Sequence, residues 1–177
     1  MSLLYLKSVN IGIIGYGYVG KAVDFGFKAK NKIFIHDKFL PSLSLEEVVE
    51  NSQIIFICVP TPMNHRYSKI DLSIVIQVVR DIVKLSNIFR KEPIIAIKST
   101  VIPGTTKNLG KKYKWSKICF NPEFLTEANF LQDFIHADRI VIGGEDSLSV
   151  KKVVALYRHS LPDIPIFQTD STTAEMV

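Results

Sequence analysis

Apolar residues along this chain fall into two alternating patterns. Short unbroken runs lead into Gly15 and recur at residues 33–36, 53–59, 94–98, 117–120, 139–143 and 164–167. Their length and continuity suit strands buried on both faces, as in a parallel sheet. Between them, apolar positions recur at helical spacing: Val19, Ala22, Val23 and Phe27, then Ile74, Val75, Val78, Val79, Ile82, Val83 and Leu85, then residues 147–161. Shorter helices are predicted at 45–51 behind an N-cap at Ser44, in the basic stretch behind Thr105 or Thr106, and around 128–134. Asp71 is placed to cap the long helix, and 63–69 reads as polar loop. Pro60 and Pro62 end the third strand by removing amide donors. Residues 171–177 read as the opening of a further helix. Strand and helix alternate throughout, which predicts an α/β fold: a Rossmann-like, doubly wound, mainly parallel sheet with helices on both faces.

The irregular segments GYGYVG, VPTP, KSTVIPGTT and NPEFL all fall at strand carboxyl ends, where ligands sit in such folds. Gly15, Gly17 and Gly20 have G-x-G-x-x-G spacing between a strand and a helix. Gly15 permits the turn, Gly17 lets backbone approach a pyrophosphate, and Gly20 lets helix and strand pack closely. The helix start presents free amides and a positive dipole end to phosphate. Asp37 follows the second strand about 20 positions on, placed to accept the ribose hydroxyls of an adenosine. A carboxylate there favours NAD over NADP by repelling a 2′-phosphate, and the neighbouring Lys38 opposes that preference.

Composition adds little to this picture. The net charge of +5 is spread along the chain apart from Lys107, Lys111, Lys112, Lys114 and Lys117. A solvated helix face is the reading of that cluster, and a nucleic-acid partner is not expected. No apolar run reaches the roughly 20 residues of a membrane span. Cys58 and Cys119 fall inside apolar runs and read as buried free thiols of a reducing, cytoplasmic setting. The four histidines show no metal-ligand spacing, so no metal is expected. Arg139 reads as a salt-bridge partner.

The order and spacing of GYGYVG at 15–20, VPTP at 59–62, KSTVIPGTT at 98–106, NPEFLTEA at 121–128, DRIVIGG at 138–144 and TTAEMV at 172–177 resemble the UDP-glucose and GDP-mannose dehydrogenases, most nearly the UDP-glucose enzymes. That resemblance implies oxidation of the C6 alcohol of a UDP-sugar to a carboxylate by two hydride transfers to NAD. It implies that Gly15, Tyr18, Val19 and Asp37 hold the adenosine pyrophosphate. Val59, Pro60 and Thr61 would lie along the dinucleotide, with Ser99 and Thr100 near the nicotinamide. Glu123 would act as general acid/base together with Thr100, Glu127 would contact the nicotinamide side, and Phe124 and Leu125 would border the sugar. Without the resemblance, Thr100 is as readily a turn-capping hydroxyl and Glu123 a helix cap.

By the same resemblance, residues 1–170 form the NAD-binding domain and 171–177 begin the family's central helix. The family's catalytic lysine, asparagine and nucleophilic cysteine lie beyond that point, so the chain is expected to be incompetent alone for the full reaction and to be monomeric or weakly dimeric. Cys58 and Cys119, as strand-interior thiols, are not expected to substitute for the nucleophile. Thr126 stands where many relatives carry arginine. The alternatives are a non-catalytic NAD-binding or interaction module, and a different Rossmann oxidoreductase.

Overall fold

The computed structural model describes residues 8–64 and 69–177. In chain order the elements are β1 (Asn10–Ile14), α1 (Tyr18–Phe27), β2 (Lys32–His36), α2 (Leu45–Asn51), β3 (Ile54–Ile57), β4 (Met63–Asn64), β5 (Lys69–Ile70), α3 (Ser73–Phe89), β6 (Ile94–Ile97), α4 (Thr105–Tyr113), β7 (Ile118–Phe120), α5 (Phe130–Ile135), β8 (Ile140–Gly144), α6 (Ser147–Ser160), β9 (Ile166–Thr169) and α7 (Ser171–Ala174). The main sheet has seven strands in the order β2-β1-β3-β6-β7-β8-β9. Neighbours pair in parallel except β7 with β8, which run antiparallel. The chain passes from β2 over β1 to β3, so the topological switch lies between β1 and β3.

The continuous apolar strands arise because each strand face meets its own core. In β3, Ile54 and Phe56 join one core with Val23, Phe27, Val153 and Tyr157, while Ile55 and Ile57 join the other with Val79, Ile82 and Leu109. Phe27 is the hub of an aromatic group, stacked on Phe56 and edge-on to Phe134 and Tyr157.

Several local expectations are corrected. The stretch predicted as polar loop contains a small hairpin, Met63 opposite Ile70 and Asn64 opposite Lys69, closed by the Asp71 amide donating to Pro62 O. His65 lies outside the described residues. Asp71 accepts from the Ser73 amide at 2.8 Å, but Leu72 occupies the N-cap position of α3. Neither Thr105 nor Thr106 caps α4. Gly104 is its N-cap in the left-handed region, Thr105 Oγ1 turns back to Ile102 O, and the free amides go to a carboxylate from far along the chain, Glu175. Helix α5 starts later than expected because Asp133 draws in the amide and hydroxyl of Thr126, leaving 126–129 as an irregular approach. Strand β9 begins at Ile166, past Pro165, whose carbonyl accepts from the Ile140 amide.

Candidate dinucleotide site

Adjacent strands bring the irregular segments into one row. The amide of Gly15 donates to His36 O, that of Cys58 to Ile14 O, that of Ser99 to Ile57 O and that of Asn121 to Ile97 O. The carboxyl ends of β2, β1, β3, β6 and β7 are thereby stepped side by side. Asp37 stands at one end and Glu123 at the other, following strands that are four inter-strand steps apart, about 19 Å at ~4.8 Å per step.

The glycine turn stands beside the switch point. Gly15 has φ +90, and a Cβ there would approach Cys58 O at 2.6 Å. A Cβ on Gly20 would lie well inside contact distance of Gly15 O, so α1 packs against the turn only without a side chain. At Gly17 a Cβ would meet no protein atom beyond its chain neighbours within 4 Å, so the space beside it is open. No side chain caps α1 and no acidic residue sits in its first turn, so its amides are available to phosphate. Tyr18, half exposed, sets its ring edge-on to Phe130 at 5.3 Å, and Val19 is partly buried behind it.

Asp37 is held by the turn it serves. Its Oδ2 accepts from the Tyr16 amide at 2.7 Å and its Oδ1 from the Phe39 amide at 2.8 Å. Partial burial pushes its carboxyl up, but amide donation from Tyr16, Phe39 and Leu40 outweighs this and holds it below the ordinary 3.8. Asp37 is therefore ionised at neutral pH, with lone pairs to spare on both oxygens. Its stabilising contribution is present above the unfolded pKa and lost as pH falls through the lower folded one. Lys38 is exposed, its Nζ 5.7 Å from the Phe39 ring centre.

Further along the row, Pro60 is exposed and Val59 and Thr61 are half-buried. Ser99 is buried, and its hydroxyl donates to Val59 O at 2.7 Å, tying the third and fourth strand ends together. Thr100, by contrast, is exposed at the head of the loop to α4. Beyond it, Glu123 is half-buried with an Oε2 that has no hydrogen-bond partner. Burial raises its carboxyl above the ordinary 4.5, and the nearby Lys98 ammonium partly offsets this. It does not cap a helix, since Asn129 occupies that position on α5. Phe124 and Leu125 are half-buried beside it, and Glu127 is exposed. A pocket of about 220 Å³ opens next to Phe124, between Thr126, His136 and Arg139.

A folded-state pKa above the unfolded one makes the Glu123 contribution greatest below pH 4.5 and lost as pH rises through the folded value. Glu123→Gln is therefore expected to raise stability at pH 7 and to leave it unchanged at pH 4. Urea midpoints at the two pH values check this; equal effects at both would show that ionisation is not involved.

Arg139 is not in a salt bridge: among the described residues no carboxylate lies within ion-pair distance, and its guanidinium stacks on Phe124 at 4.4 Å. The sequence reading also missed Lys98. It is 3% exposed at the end of the apolar run IIAIK, with Nζ within 3.4 Å of Asn121 O, Asn121 Oδ1 and Pro122 O. The available signal was a charged residue closing a strand otherwise buried on both faces. Cys58 and Cys119 are buried free thiols, and burial pushes both up to about 12.

The sequence profile of the UDP-glucose/GDP-mannose dehydrogenase family, NAD binding domain, matches residues 31–161. A UDP-glucose 6-dehydrogenase of Campylobacter jejuni is 32% identical over 203 aligned positions, which cover 96% of this chain and 50% of that one. UDP-glucose 6-dehydrogenase YwqF of Bacillus subtilis is 34% identical over 143 positions, covering 76% of this chain and 31% of its own. The solved UDP-glucose dehydrogenase of Pyrobaculum islandicum superposes with a TM-score of 0.87 at 24% identity, over 99% of this chain and 49% of that one. The chain thus spans about half the length of these relatives, or less. It belongs to the UDP-glucose/GDP-mannose dehydrogenase family, whose NAD-binding domain it carries.

Proposed function

We propose that the row from Asp37 to Glu123 holds an extended NAD, and that the chain is the cofactor-binding part of a cytoplasmic UDP-sugar 6-dehydrogenase. Residues 1–170 are assigned to cofactor binding, and 171–177 to the start of the helix that follows it in the family. The observation that carries the reading is the cradle at the switch point, where Gly15 and Gly20 exclude side chains and Gly17 faces open space. Asp37 takes the adenosine ribose, and the amides of α1 with Gly17, Tyr18 and Val19 take the pyrophosphate. Val59, Pro60, Thr61 and Ser99 lie along the dinucleotide, and Thr100 and Glu127 flank its nicotinamide side. When bound, NAD supplies the hydride acceptor.

The chain's own residues then handle protons and exclusion. Glu123, with one oxygen unpartnered, accepts the proton that leaves the sugar hydroxyl, assisted by Thr100. Phe124 and Leu125 border the sugar and exclude water there. Cys58 and Cys119 do not form the thioester of the family reaction, because thiols held near pKa 12 provide almost no thiolate at neutral pH. Full oxidation therefore requires a cysteine from outside the described residues.

Calorimetric titration with NAD, NADP and UDP-glucose tests the reading. NAD is expected to bind and NADP to bind at least tenfold more weakly. Asp37→Asn is expected to weaken NAD about tenfold, one charged hydrogen bond being worth ~1.5 kcal/mol. Absence of dinucleotide binding would leave an interaction module as the function.

A further inference from the structure

We propose that Lys98 is a positioning residue for the site: its buried ammonium sets the turn through Asn121 and Pro122 and keeps the Glu123 carboxylate ionised for proton acceptance. The inference rests on the reading of Glu123 as the proton acceptor.

Three oxygens surround Lys98 Nζ, at 3.3 Å (Asn121 O), 3.2 Å (Asn121 Oδ1) and 3.4 Å (Pro122 O). An ammonium has three protons to match three acceptors, whereas a neutral amine has two and would leave one carbonyl facing a lone pair. The geometry thus fits the charged form in spite of burial, which pulls its pKa down. The Phe134 ring, 5.7 Å from Nζ, adds a π-face to the same side chain.

The acceptors are themselves fixed. Asn121 Nδ2 donates to Val141 O at 2.8 Å, and Tyr157 Oη donates to Asn121 Oδ1 at 2.6 Å. Both ends of the Asn121 side-chain amide are engaged, and β6, β7, β8 and α6 all converge on it. Glu123 follows Pro122 directly, so the backbone carrying the acid is located by the lysine.

The titratable groups facing Lys98 are Cys58 at the end of β3, Cys119 in β7 and Glu123 in the loop after β7. Helix α6 contributes the Tyr157 hydroxyl through Asn121, and α5 contributes only the Phe134 ring. Both thiols and the buried phenol are neutral at pH 7. Glu123 is therefore the one group among them that can carry negative charge, and among the described residues Lys98 makes no direct ion pair. Attraction to the ammonium opposes the desolvation that raises the Glu123 carboxyl.

The test is a carbon-13 titration of the Glu123 carboxyl, identified by its loss in Glu123→Gln. In folded Lys98→Met the midpoint is expected to rise by about one unit or more. A midpoint that stays or falls would overturn the proposal, since a lysine that only packs would not move it. Should Lys98→Met fail to fold, the Lys98 Cε signal of the unaltered chain decides. A signal constant across the Glu123 transition supports the proposal, and a deprotonation step at or below that transition refutes it. A shift in a chain that binds no NAD would keep the coupling and remove the catalytic reading. NAD binding without a shift would remove the coupling alone.

Discussion

Gly20→Ala is expected to abolish NAD binding and to destabilise the chain by about 3 kcal/mol, the upper end for overpacking. The added carbon has only backbone to displace, the carbonyl of Gly15, with Ile13 Cγ2 next nearest at 3.3 Å. Gly15 cannot yield, since it sits at φ +90 with Cys58 O immediately behind it. Helix α1 must therefore move away from β1, which pulls its amides off the phosphate position. Gly17→Ala is the matched control. Its Cβ enters open space at φ −74, so stability should hold within about 0.5 kcal/mol while NAD binding weakens. Urea denaturation and calorimetry on both variants separate cradle from packing. Equal loss of stability in the two would disprove the assignment of separate tasks.

The second large effect concerns Glu175, 9% exposed, whose carboxylate accepts from the Gly104 and Thr106 amides, the latter at 2.7 Å. It caps α4 in place of the threonines and ties the last described segment to the loop that begins at Thr100. Glu175→Ala leaves two helix-start amides without an acceptor and is expected to cost about 2–3 kcal/mol. Glu175→Gln keeps one acceptor and should lose about half as much. Faster amide exchange at Gly104 and Thr106, alongside a lower urea midpoint, checks the mechanism. An unchanged midpoint in the alanine variant would rule it out.

The strands were legible because a sheet covered on both faces demands unbroken apolar runs, and each residue of QIIFICV from Ile54 to Ile57 is buried as that demand predicts. The glycine turn and Asp37 were legible because their spacing encodes local backbone geometry; the structure joins them through the Tyr16 amide. The hairpin at Met63 and Ile70 was not, since two paired positions on each side leave no alternation to read. Nor was the reversal of β8 against β7, which depends on how 121–139 folds back.

By itself, then, the amino-acid order determined the strands of the main sheet and the helices between them, where the glycine turn lies and which family the chain resembles. These features arise from interactions within a few residues or from hydrophobic period. Tertiary structure alone decided that Lys98 turns inward to Asn121, that Glu175 caps a helix some 70 residues earlier, and that Arg139 stacks on Phe124. Each of these is a polar side chain whose partner is distant in sequence. A lysine, glutamate or arginine on a helix or strand end is equally compatible with solvent until the fold places a desolvated acceptor, amide or ring beside it.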